Sequence, residues 1–153
     1  MSTRTDVATT RFLSGYNCAQ AVLDAFRDEA TLDEDLALRI ATGLGAGMGR
    51  KQEVCGAVTG GILVLGLRHG RGSTGDRSAT EQTYLRTREL MDRFTAQHGS
   101  CLCRELLQGY DLSTDEGLRR AKADDMINKV CRPCVQTVVE TLEQMKGRRA
   151  RNK

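Results

Sequence analysis

The residues best suited to chemistry in this sequence are its six cysteines, which fall on four separate parts of the chain: Cys18, Cys55, the pair Cys101/Cys103 and the pair Cys131/Cys134. A structural zinc site usually takes its ligands from two short C-x₂-C knuckles. Only Cys131-Arg-Pro-Cys134 has that spacing. Cysteines contributed singly by separate helices would instead build a site in the core of a bundle, and four of them can hold an iron–sulfur cluster.

Three other interpretations of the cysteines stay open. Free cysteine is often a small buried hydrophobe with no further role. A C-x-x-C motif can lower a thiol pKa to about 7, so Cys131 and Cys134 could instead act in thiol–disulfide exchange. That motif normally accompanies a βαβ pattern, which this sequence lacks. A structural zinc site, or a module for protein interaction, is the third interpretation.

One stretch of the chain, residues 54–67, is long and uncharged although 28% of the sequence is charged. Its 14 residues fall short of the roughly 20 that span a membrane, so we predict a buried core helix. Gly56 and Gly60 lie four apart, on one face of that helix. Their missing side chains either permit tight helix packing or leave space for a cofactor. Cys55 precedes the helix, where free N–H groups and the helix dipole favour a thiolate.

The other elements are also predicted to be helical, because the chain has one proline and few β-forming segments. We expect an all-α bundle of about five to seven helices around the central glycine-rich helix. Asn17 and Asp33 are predicted N-caps, and a long amphipathic helix over residues 76–97 should end at Gly99. Ser113 and Glu116 have the spacing of a capping box. Residues 43–49 should form a flexible connection that allows close backbone approach, and Met48 is expected in the core.

The length of 153 residues predicts one domain, residues 1–146, followed by a basic disordered tail at 147–153. The net charge is only +3, with no Trp and six Phe or Tyr residues in total. This composition disfavours nucleic-acid binding, which uses a basic stripe with stacking aromatic residues. The N-terminal segment lacks the apolar region of a signal peptide, so we expect a cytoplasmic protein without membrane insertion. In that reducing compartment a static disulfide framework is disfavoured.

Four segments taken together resemble one protein family. They are Gly15-Tyr-Asn-Cys18-Ala-Gln-Ala-Val22, Cys55-Gly-Ala-Val-Thr-Gly60, Cys103-Arg-Glu-Leu-Leu107 and Cys131, and in this order they resemble the redox-active proteins named C_GCAxxG_C_C. The resemblance covers about residues 12–140. It implies that Cys18, Cys55, Cys103 and Cys131 are the four family cysteines, with Cys101 and Cys134 as additional and alternate candidates. A related domain occurs in a split-Soret cytochrome with an associated iron–sulfur centre, so the resemblance also implies a cluster.

These observations combine into one functional hypothesis. We expect a small redox protein that binds a [2Fe–2S] or [4Fe–4S] cluster through Cys18, Cys55, Cys103 and Cys131, for electron transfer or for sensing of redox state or iron. Gly56 and Gly60 would border the cofactor. A redox partner protein is expected, and a homo-oligomer is compatible with the sequence. Zinc, or no metal at all, is the alternative.

Overall fold

The computed structural model describes residues 2–146 and confirms the all-α prediction. The longer helices are α1 (Arg4–Leu13), α2 (Cys18–Phe26), α3 (Glu34–Ala41), α5 (Gly56–His69), α6 (Arg77–His98), α8 (Asp115–Ala123) and α9 (Arg132–Lys146). Two single-turn elements, α4 (Gly45–Met48) and α7 (Cys103–Leu106), lie between them. A π-helical turn, Ile127–Cys131, leads directly into α9. The predicted basic tail at 147–153 lies outside the described residues.

Helix boundaries follow local capping chemistry. Asn17 accepts a hydrogen bond from the Gln20 backbone N–H while the Gln20 side chain accepts one from the Asn17 N–H, which forms a complete capping box for α2. Asp33 caps α3 through the Leu36 N–H. The long helix α6 ends at Gly99, whose φ of +89° is the left-handed conformation typical of a glycine stop. These three predictions are confirmed.

Two local predictions are wrong. The predicted capping box at Ser113 is displaced by one residue, because Thr114 is the N-cap of α8 and accepts from the Gly117 N–H. The Ser113 side chain instead donates to Asp111 within the preceding turn. Met48, predicted in the core, is 37% exposed because it lies in a turn that carries its side chain outward.

The centre of the bundle is the contact between α2 and α5. Every residue of α2 after Cys18 is buried, and α5 buries eight residues. At Gly60 an added Cβ would lie only 2.8 Å from the Ala19 carbonyl oxygen and 2.9 Å from the Ala19 Cα. An added Cβ at the neighbouring Gly61 would likewise lie too close to the side chains of Leu90 in α6 and Val138 in α9. The glycines of α5 therefore let three helices approach it closely.

The predicted core helix is confirmed in α5. No helix within residues 2–146 combines the length and apolarity needed to cross a membrane.

Close packing at Gly60 gives a stability prediction with a control in the same helix. Gly60→Ala should lower the free energy of unfolding by about 1–3 kcal/mol, because the new methyl group overlaps the α2 backbone. Gly66→Ala should raise it by up to about 1 kcal/mol, since nothing lies within 4 Å of an added Cβ there. Urea denaturation of both variants measures the difference. Equal shifts in the two midpoints would contradict this account of the α2–α5 contact.

Candidate functional site

Five of the six cysteines line one cavity of about 510 Å³: Cys18, Cys55, Cys103, Cys131 and Cys134. They come from the first turn of α2, the start of α5, the first residue of α7, the π-helical turn and the first turn of α9. All six cysteines are free thiols. The fold therefore brings together residues that are separated by more than a hundred positions in sequence.

A short antiparallel bridge places Cys55 beside the Cys101/Cys103 pair. Val54 pairs with Leu102, the Cys55 N–H donates to the Cys101 carbonyl at 2.7 Å, and the Cys103 N–H donates to the Glu53 carbonyl at 2.7 Å. Both helices that begin here, α5 and α7, start directly from this bridge. The backbone pairing thus fixes where two of the cavity cysteines enter the site.

Cys101 lies on the bridge but does not line the cavity. Its Sγ lies 3.2 Å from Thr95 Oγ1 and donates to the Met91 carbonyl oxygen at 3.4 Å, both on α6. Cys103, two residues later, is buried and lines the cavity. Geometry therefore favours Cys103 over Cys101 as the member of this pair that can contribute to the site.

A left-handed turn forms the next part of the cavity wall. Residues 46–50 all have φ between +54° and +69°, including Ala46, Met48 and Arg50, which are not glycine. Each non-glycine residue in this conformation costs roughly 1 kcal/mol or more, and such strain clusters at functional sites. The segment predicted as a flexible connection is thus a specific turn, closed by a hydrogen bond from the Glu53 N–H to the Gly47 carbonyl oxygen.

The left-handed turn touches two site cysteines. An added Cβ at Gly47 would lie 2.8 Å from the Cβ of Cys103 and 2.6 Å from the Cα of Gln52. The Ala46 backbone N–H donates to the sulfur of Cys18. The expected close backbone approach is confirmed here, and it serves the cysteines directly.

Gln52 is a structural residue of the site that the sequence pattern did not indicate. Its side chain is buried, and its amide donates to the Tyr110 carbonyl oxygen while its carbonyl oxygen accepts from the Leu112 N–H. Gln52 therefore ties the loop before α8 to the bridge. Its own φ of +56° and the sixty-residue separation from its partners leave no local sequence signal.

Gly56 and Gly60 have different surroundings. An added Cβ at Gly56 would lie 2.4 Å from the sulfur of Cys18 and 3.0 Å from the Leu44 carbonyl oxygen, and Gly56 lines the cavity. Gly60 lies one turn further along α5 and faces the backbone of Ala19. The space at Gly56 is thus used by a site sulfur, whereas Gly60 serves helix packing.

The pKa of Cys55 is lowered, whereas the pKa values of the other cavity thiols are raised. The Cys134 thiol donates a hydrogen bond to Cys55, and this lowers the pKa of Cys55 although burial opposes the change. The backbone N–H groups of Ala57 and Val58 lower it further, as expected at a helix N-terminus. The same hydrogen bond, together with burial, raises the pKa of Cys134.

The remaining cavity thiols are held protonated. Burial, with the nearby charge of Cys55, raises the pKa of Cys18 and of Cys103 to about 12 each. Burial is the largest cause that raises the pKa of Cys131, and the neighbouring Cys55, Cys18 and Cys103 add to it as they ionise. Cys18 also begins a helix, but there desolvation outweighs the backbone N–H groups.

The donor set suits a thiolate-bound group, but the arrangement is not that of a single ion. Within the described part of the chain no three His, Cys, Asp or Glu side chains are arranged to hold one metal ion. The ligands of an iron–sulfur cluster surround several iron atoms and so lie further apart than those of one zinc ion. Five cysteines line a cavity of about 510 Å³, and cysteine sulfurs are the donors that hold iron–sulfur clusters.

The lining of the cavity other than its cysteines is mostly apolar, and we call the part formed by Leu106, Leu118, Met126 and Ile127 its apolar end. Its walls come from α7, α8 and the π-helical turn, with side chains such as Leu106, Leu118 and Ile127. Lys122 is the one charged residue among the described residues that line it. The cavity thus has a sulfur end and an apolar end.

Matched glycine variants test whether the left-handed turn positions Cys103. Gly47→Ala and Gly49→Ala both place alanine in the left-handed region, at φ of +67° and +62°, which should cost each about 1–2 kcal/mol. Only Gly47→Ala also pushes a methyl group against Cys103, whereas nothing lies within 4 Å at Gly49. We expect Gly47→Ala to lose about 1–3 kcal/mol more in denaturant unfolding.

In the same experiment, alkylation followed by mass spectrometry should find Cys103 more reactive in Gly47→Ala than in Gly49→Ala. Equal stability and equal Cys103 labelling in the two variants would show that the turn does not position this cysteine.

Comparison with protein-family models matches residues 16–145 to the family described as "Putative redox-active protein (C_GCAxxG_C_C)". No curated protein and no solved structure gives a significant match. The matched range contains all six cysteines and every wall of the cavity except Phe12 and Gly15.

Proposed function

Since this chain belongs to the C_GCAxxG_C_C family, whose description is of a redox-active protein, we propose that its cavity cysteines bind an iron–sulfur cluster. The observation that carries the proposal is the convergence of five cysteines, from five separate local structures, on one cavity. We assign the ligands to Cys18, Cys55, Cys103 and Cys131, which occupy the family's four positions. Cys134, on the same cavity, is the alternate for Cys131.

The bound cluster would supply one-electron transfer, and the chain's own residues would set its environment. The N–H groups of Ala57 and Val58 point at the Cys55 sulfur and that of Ala46 at the Cys18 sulfur. Hydrogen bonds to ligand sulfurs and exclusion of water are two of the factors that tune a cluster's reduction potential. We propose that a redox partner protein in the cytoplasm exchanges electrons with this site.

The Cys101/Cys103 pair provides a sharp test, because only one of the two lines the cavity. After anaerobic purification and reconstitution with iron and sulfide, wild-type protein should bind both and show a visible absorption band. Cys103→Ser should lose most of the bound iron and sulfide, whereas Cys101→Ser should retain wild-type amounts. Cys131→Ser should behave like Cys103→Ser, and Cys134→Ser like Cys101→Ser.

Circular dichroism of each variant checks that loss of iron is not loss of fold, and Cys103→Ala provides a second substitution at the same site. A colourless wild-type protein after reconstitution, or one zinc per chain without iron, would contradict the cluster proposal. Equal iron loss in Cys101→Ser and Cys103→Ser would contradict the ligand assignment.

The hydrogen bond between Cys55 and Cys134 favours a second candidate function, thiol–disulfide exchange. We propose this pair beside Cys131/Cys134, the pair that the C-x-x-C spacing indicates, because Cys55 shares a hydrogen bond with Cys134. The Cys55 thiolate would attack a partner's disulfide, form a mixed disulfide and release one partner thiolate. Cys134, after losing its proton, would attack the Cys55 sulfur, release the second partner thiolate and leave a Cys55–Cys134 disulfide.

Disulfide mapping distinguishes the two possible pairs. Iron-free protein oxidised with a graded series of oxidised glutathione and digested for mass spectrometry should give a reversible Cys55–Cys134 disulfide. Cys131→Ser should leave that product unchanged, whereas Cys134→Ser should abolish it. A predominant Cys131–Cys134 disulfide would contradict the pairing drawn from the hydrogen bond.

A further inference from the structure

The cavity is larger than its cysteines require. Small-molecule sites commonly occupy about 300–1,000 Å³ and are mostly apolar with a few polar groups. The volume of about 510 Å³ lies in that range. Even a [4Fe–4S] cluster, which has fewer heavy atoms than most such ligands, would fill only the sulfur end.

The cavity as a whole has walls from two separate hydrophobic clusters. Cys55, Cys134 and the partly buried Phe12 belong to the main core. Cys103, Leu107, Leu112 and Ala121 form a smaller cluster built around α7 and α8, and Cys131 packs against it. Because the cavity lies where these two clusters face each other, apolar side chains border it on both sides.

One charge is placed at this apolar end. Leu118, Ala121 and Lys122 occupy one face of α8 at i, i+3 and i+4 spacing, and all three line the cavity. Ala121 is buried and Lys122 is exposed, so the ammonium group lies toward solvent while the helix face beneath it is apolar. No carboxylate occurs among the described lining residues. The charge distribution thus favours a negatively charged group at the mouth.

We propose that this end of the cavity binds a small apolar molecule carrying one anionic group. The apolar body lies against Leu118, Met126 and Ile127, and the anionic group lies at Lys122. The proposal that this molecule binds is argued from the cavity alone. A further role, in which the bound molecule reacts at the cysteine site, rests on the proposed function.

Two fluorescent probes with nearly the same aromatic body test both halves of the proposal. Anilinonaphthalene sulfonate carries one negative charge, and N-phenylnaphthylamine carries none. We expect each to bind wild-type protein at one molecule per chain and to be displaced by decanoate. Lys122→Gln should lower the affinity for the sulfonate probe by about 2–5-fold. The affinity for the neutral probe should stay unchanged.

Ile127→Gln should lower the affinity for both probes by about tenfold, because it removes apolar contact with their aromatic body. Matched controls are available: Ile40 is 50% exposed against 49% for Ile127, and Lys129 is an exposed lysine near Lys122 in the chain. Neither control residue lines the cavity. Ile40→Gln and Lys129→Gln should therefore bind both probes as wild type does.

Several outcomes would overturn the proposal: binding of many probes per chain, equal effects in the control variants, or an unaltered affinity in Ile127→Gln. A wild-type dimer that Ile127→Gln dissociates would show that a second copy covers the mouth instead. Iron content is measured on the same samples. Iron binding without probe binding refutes only this inference, and probe binding without iron refutes only the cluster.

Discussion

The close packing of α5 on α2 is the constraint on which the rest of the structure depends. Gly60 lets the two backbones meet at Ala19, and one turn earlier Gly56 leaves just the space that the Cys18 sulfur fills. Because both helices begin at the same end of this contact, their first turns place Cys18 and Cys55 side by side. The packing of the core and the assembly of the sulfur site are therefore one arrangement, and a larger residue at Gly56 would disturb both.

The other walls of the site are attached to this pair by backbone contacts. The bridge between Val54 and Leu102 continues from the start of α5 and brings in Cys103. The left-handed turn at residues 46–50 fits between them, and its strain is offset by the hydrogen bonds and packing that it allows around Cys103 and Cys18. Gln52 then holds the loop before α8, so the apolar end of the cavity depends on the same bridge.

Local sequence signals predicted the elements but not their long-range contacts. Asn17 and Asp33 were predictable as caps because capping involves only residues three positions apart. The choice of Cys103 over Cys101 came from the family resemblance and not from a local signal, since in the structure it depends on how the bridge meets α6 at Thr95. The Cys55–Cys134 hydrogen bond likewise joins helices distant in sequence, and the C-x-x-C spacing, which involves only Cys131 and Cys134, carries no signal of it. Alternating glycines at 43, 45, 47 and 49 did indicate an unusual backbone. That this backbone is a left-handed turn is seen only in the structure.

The central claim is that these cysteines hold an iron–sulfur cluster, and anomalous X-ray scattering at the iron edge tests it most directly. Crystals of anaerobically reconstituted protein should show iron in the cavity, bonded to the sulfurs of Cys18, Cys55, Cys103 and Cys131. The account would be contradicted by a cavity without iron and with free thiols, or by iron bound at any place away from these cysteines.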